Sequence, residues 1–168
     1  TYQQIQGGQN VILAEGELEL DLTNAQLQFE NDRRSGNVHT QFLSYEQFTT
    51  SVAPGALPLW LFANQPRGTA VEGALTATFT MPKLSNSYDY IPPGTEYVVL
   101  LGYNPEAEII EPVGVGRIEN HQVISEGNVN YQSLDYFGYA IVDLALQPSL
   151  KAVAEGTKNL LQLKAELR

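Results

Sequence analysis

Between Glu17 and Leu22 every second residue is leucine, and the residues between the leucines are carboxylates. Successive side chains of a β-strand point to opposite faces, so this pattern predicts a strand with Leu18, Leu20 and Leu22 inward and Glu17, Glu19 and Asp21 in solvent. The same period returns at Leu75, Ala77, Phe79 and Met81, with Thr76, Thr78 and Thr80 on the other side. Threonine suits the solvent face of a pleated sheet. Residues 96–103 (EYVVLLGY) are almost wholly apolar. That composition predicts a central strand buried on both faces.

Turn signals separate these runs. They include the polar cluster 31–37, Pro54-Gly55, residues 65–68, Pro92-Pro93-Gly94, Asn104-Pro105 and a hairpin turn at Glu119-Asn120. Strands recurring every eight to twelve residues or so between such signals predict an all-β fold. The expected architecture is an antiparallel β-sandwich of about eight to twelve strands, Ig-like or jelly-roll-like, with at most one or two short helical turns. The one helical signal is at 149–155, with Gly156 placed to end it at C′.

The chain closes on a second clean alternation. Leu161, Leu163, Ala165 and Leu167 alternate with Gln162, Lys164, Glu166 and Arg168. Read at period two, this is a half-buried terminal strand whose backbone groups need a neighbour. The organisation expected is therefore a leader or edge segment at 1–10, a β-sandwich domain at 11–146, and a linker with a terminal strand at 147–168. That strand either edges its own sheet, is given to a neighbouring copy, or opens a following module. The apolar run at Val11, Ile12 and Leu13 is the second candidate for strand pairing between molecules.

Composition narrows the chemistry. The chain has 168 residues, 43% of them hydrophobic, which suffices for a real core. It carries 19 acidic against 9 basic residues, a net charge of -10. A nucleic acid or an anionic membrane face would be repelled. There is no cysteine, so disulfides and thiolate metal sites are excluded, and two histidines cannot build a three-histidine zinc site. No apolar run is long enough for a membrane-spanning helix. Plentiful Asn, Gln, Thr, Tyr and Gly with scarce Lys suit an extracellular or cell-surface protein. The first residue is Thr1, which fits a processed or excised chain.

Two stretches resemble known families. Leu146-Gln147-Pro148-Ser149, the run from Ala152 to Gly156-Thr157, and Leu161-Gln162-Leu163-Lys164-Ala165 resemble the opening of bacterial Ig-like modules of the second family. Ile91-Pro92-Pro93-Gly94-Thr95, Tyr103-Asn104-Pro105, Pro112-Val113-Gly114 and Tyr136-Phe137-Gly138-Tyr139-Ala140 resemble sandwich domains loosely related to ZU5 domains of bacterial surface proteins. The resemblance implies spacers, stalks or adhesive units, and only that class is carried over.

Catalytic signatures are missing. No Gly-x-Ser-x-Gly elbow occurs, and Gly114-Val115-Gly116 lacks the third glycine and the helix of a dinucleotide site, so it reads as a bulge or close strand packing. Candidate calcium loops are Glu30, Asn31 and Asp32, or Asn86 and Asp89, neither in an EF-hand spacing. His39 and His121 are isolated. Tyr88, Asp89 and Tyr90 combine aromatics with a carboxylate, the composition used to stack sugars or anchor a protein partner. A Lys–Asn isopeptide has only Lys83, Lys151, Lys158 and Lys164 to draw on.

The function expected from sequence is a non-enzymatic structural subunit or module of an extracellular assembly, built by β-strand pairing with copies of itself or with neighbouring modules. The alternative is a carbohydrate- or protein-binding adhesion module acting through Tyr88, Asp89 and Tyr90. No cofactor is expected, calcium aside, and neither nucleic acid nor membrane insertion.

Overall fold

The computed structural model describes residues 2–43, 50–55, 57–81 and 91–168. Among them are strands β1 (Gln3–Gln6), β2 (Asn10–Leu13), β3 (Leu18–Asp21), β4 (Ala25–Gln28), β5 (Ser35–Leu43), β6 (Ser51–Val52), β7 (Trp60–Gln65), β8 (Ala70–Gly73), β9 (Thr76–Thr80), β10 (Tyr97–Asn104), β11 (Ile109–Glu119), β12 (Gln122–Ser125) and β13 (Tyr136–Ala140). Two short helices follow, α1 (Gln147–Ala154) and α2 (Leu160–Glu166).

Ten strands form one continuous sheet in the order β1-β5-β7-β13-β10-β11-β12-β9-β3-β2. Every pairing along it is antiparallel, and β6 adds a short parallel pair to β11. The two end strands, β1 and β2, are consecutive in the chain and joined only by Gly7, Gly8 and Gln9. That short link holds the two edges of the sheet together, so it curls into an open barrel. In place of the expected two facing sheets, one sheet curls into a barrel-like form that stays open at its edges. β4 and β8 form a separate two-stranded ribbon that contributes Ala25 and Leu27 to the barrel interior.

The alternating runs behave as predicted. Leu18, Leu20, Leu22, Leu75, Ala77, Phe79 and Met81 all lie inside the barrel. β10 is buried on both faces: Val98 and Leu100 point into the barrel, Val99 and Leu101 outward into a second apolar cluster. A bulge interrupts its pairing with β11, where Val113 has no partner between Pro112↔Leu101 and Gly114↔Leu100. Gly114 and Gly116 then make room for interior side chains. A Cβ on Gly116 would lie 2.8 Å from Val123 Cγ1 and 3.0 Å from Leu100 Cδ2. Close strand packing is thus what this Gly-Val-Gly provides. The β11–β12 hairpin turns at Asn120-His121, both at positive φ (50° and 63°), one residue later than the sequence suggested. Two consecutive left-handed residues match the twist of the flanking strands.

The C-terminus departs from its expected form. Residues 160–166 are helix α2, not a strand. The Asn159 side chain accepts the Gln162 N–H at 2.8 Å, and the Gln162 side chain accepts the Asn159 N–H at 2.9 Å. This reciprocal capping box satisfies the orphan amides of the first turn. The inward set is Leu160, Leu163 and Leu167, at helical spacing, while Leu161 is 76% exposed and Ala165 faces solvent. α1 begins with Pro148 in its first turn and ends at Gly156, at φ +81°, as predicted. Both helices lie on the outer face of the central strands, where Leu150, Leu163 and Leu167 bury Val99, Leu101, Ile110 and Ala140. The Gln147 side chain fastens the junction: its Oε1 accepts the N–H groups of Glu96 and Tyr97, and its Nε2 donates to Tyr97 O. Segment 147–168 thus forms two helices packed on the outer face of the central strands.

Candidate functional site: the open seam

The barrel does not close. Among the described residues nothing pairs with β2 on the side away from β3, and β1 covers β5 only from Ser35 to Val38. From His39 to Leu43, β5 pairs with β7. Between these free edges lies a cleft of about 660 Å³, lined by Gln3, Leu13, Val38, Thr40, Phe62 and the residues discussed below.

The register shows which backbone groups face the seam. Leu22 N–H donates to Gln9 O, and Thr80 N–H donates to Glu17 O across the β3–β9 pair. Leu18, Leu20 and Leu22 therefore bond toward β2, to Leu13, Val11 and Gln9. Asn10 and Ile12 occupy the alternate positions, and their N–H and C=O groups point off the sheet edge. Such a row is a template for another strand. Native edges are commonly blunted by Lys, Pro or a bulge. β1 (QQIQ) and β2 (NVIL) have neither Lys nor Pro.

The side chains at the seam are unusual for a finished barrel. Phe42 shares its face with the interior residue Phe62, directly opposite it in register, yet is 39% exposed. Its ring lies 4.2 Å from that of Trp60 and 6.1 Å from that of Phe62. Ile12, across the cleft, is 53% exposed. Tyr2 is exposed as well and sits 5.5 Å from the His39 ring. Two of the large exposed apolar side chains, Ile12 and Phe42, thus line one cleft, whereas scattered ones would need no explanation.

The rim is a tight turn from β2 to β3. Ala14, Glu15 and Gly16 all have positive φ (52°, 55° and 95°), and only the glycine adopts that region without cost. Non-glycine residues held left-handed store roughly 1 kcal/mol or more each and gather at functional sites. The turn brings Glu15 and Glu17 to the cleft. Partial burial, and then the neighbouring Glu15 charge, raise the Glu17 carboxyl above the usual carboxylate range. Both lining carboxylates lie at this turn, and among the described residues no Lys or Arg lines the cleft.

The sequence candidates fall in different places. Val11, Ile12 and Leu13 are the free edge itself, with Val11 and Leu13 buried and Ile12 outward. Leu163 and Leu167 turn inward while Leu161 and Ala165 are exposed, so the four, lying in and at the end of α2, do not make one strand face. Tyr88, Asp89 and Tyr90 lie outside the described residues. Glu30 and Asp32 sit in an exposed 3-10 turn, where Asp32 accepts Gln28 Nε2 at 2.9 Å. No group of three His, Asp or Glu able to hold a metal occurs among the described residues. Glu19 accepts Asn10 Nδ2 at 2.7 Å, and Asp21 is held below its ordinary value by the Thr23 hydroxyl and N–H. Lys151, Lys158 and Lys164 make ion pairs with Glu155, Glu166 and Glu111, none of them an asparagine. Glu15-Gly16 breaks the apolar run in the sequence and sits in the turn from β2 to β3. Sequence reading missed Phe42, which looked like an ordinary strand residue.

No protein-family model matches the chain, and no curated protein matches it. No helix among the described residues is long and apolar enough to cross a membrane.

Proposed function

We propose that the protein is a non-enzymatic assembly module of an extracellular or cell-surface structure, which takes up an extended segment of another module or molecule at its open seam. The observation that carries this reading is the combination at one place of a sheet edge unpaired among the described residues and an inward-facing Phe42 left exposed. Added backbone hydrogen bonds along Asn10 and Ile12 supply affinity, and an apolar side chain dropped beside Phe42 and Phe62 supplies register, which is the physics of β-strand addition. The terminal segment keeps a supporting role, since α1 and α2 bury the outer face of the strands opposite the cleft.

Trp60 is the single tryptophan and packs against Phe42, so its fluorescence reports on the cleft. A neutral peptide alternating threonine with isoleucine or valine should shift that emission to the blue and bind saturably. Ile12→Pro removes the N–H that points off the edge and breaks no ladder bond with β3. The variant should keep its circular dichroism and lose the peptide. Equal binding by the variant and the parent protein would sink the reading.

A further inference from the structure

The seam has a charge as well as a shape. Its acidic lining residues are Glu15 and Glu17, His39 lines it beside them, and among the described residues no Lys or Arg lines it. The strained turn Ala14-Glu15 places Glu15 and Glu17 on the cleft lining, beside the end of the free edge where Ile12 presents its backbone. A segment lying along β2 would run directly past them.

Resting on the strand-addition reading, we propose that the natural occupant is a basic extended segment, in which an apolar residue directed at Phe42 and Phe62 is flanked by Lys or Arg directed at Glu15 and Glu17. A second copy of this chain fits poorly. Its own edge strands, QQIQ and NVIL, contain no cation, and each copy brings a net charge of -10. Like charge on both partners slows encounter and opposes docking. A basic segment is steered to the cleft and neutralises two carboxylates held close together. Glu17, raised by partial burial and then by the Glu15 charge, is the group with most to gain from a cation.

The test uses the whole protein and three peptides of one alternating apolar pattern. Their outward positions near the apolar anchor are lysine, threonine or glutamate. Binding is read from Trp60 emission and from calorimetry. The lysine peptide should bind about tenfold tighter than the threonine peptide, the scale of two partly exposed ion pairs. The glutamate peptide should be weaker than both. The lysine advantage should vanish at about 1 M salt, where the screening length falls to about 3 Å. It should also vanish in the double variant Glu15→Gln, Glu17→Gln, while the threonine peptide binds that variant as it binds the parent protein. If all three peptides bind alike, the basic-partner inference is overturned and the strand-addition reading stands. If none binds, both fall. If the protein alone dimerises and Ile12→Pro reverses it, the occupant is a second copy and the inference is overturned.

Discussion

Replacing Leu163 by alanine, beside the same change at Leu161, discriminates between the two periods that the C-terminal residues can be read with. Leu163 is fully buried between α2 and the outer face of β10 and β11, whereas Leu161 is 76% exposed. The change removes the equivalent of about three methylenes, worth about 2.4 kcal/mol in transfer alone at roughly 0.8 kcal/mol each. A cavity term adds to this, because α2 is held at one end by its capping box and relaxes only partly, so the expected loss is about 3 kcal/mol. For a chain of this size that lowers the melting temperature by about 6–12 °C. Leu161→Ala should stay within about 0.5 kcal/mol of the parent protein, as surface changes do. Urea titrations followed by far-ultraviolet circular dichroism and by Trp60 emission measure both. Comparable losses at the two positions would mean that they share a buried face, as in a strand, and would refute the helical assignment and the packing built on it.

Asp135 is buried near the Gln65–Gly68 turn and accepts the Gly68 N–H at 2.9 Å. Burial raises its carboxyl above the ordinary value, against smaller opposing pulls from the Gly68 N–H and Arg67. The folded state therefore holds this proton more tightly than the unfolded chain. Its contribution is complete below the unfolded value of about 3.9 and is lost as pH rises through the raised folded value. Asp135→Asn, which keeps an acceptor for Gly68, should flatten that part of the stability curve and leave stability at neutral pH unchanged or higher; an unaltered slope in urea midpoints from about pH 4 to about pH 7 would contradict it. Ala14→Gly should stabilise the protein by about 0.5–1 kcal/mol, because glycine relieves the left-handed backbone at φ 52°. A destabilised variant in the same urea titration would show that the turn is not strained.

Much of the strand content was legible in the sequence because period two is a local property. Leu18 to Leu22 and Leu75 to Met81 needed only their own alternation to declare an inner face, and the apolar run of β10 declared its burial on both. Asn120 and Gly156 marked a hairpin and a helix end through backbone geometry that few residues tolerate. The terminal segment misled because leucines at 160, 161, 163 and 167 satisfy both periods over so short a stretch. The deciding signal was also local: Asn159 followed three residues later by Gln162, the capping box that starts a helix. Tertiary structure alone decided the rest. Whether one sheet curls on itself or two sheets face each other depends on pairings between distant strands, such as β12 with β9 and β13 with β10, and no local pattern encodes them. The seam is the product of that closure. Ile12 and Phe42 are 30 positions apart, ordinary strand residues when read in order, and only the meeting of the two sheet edges leaves them exposed across one acidic cleft.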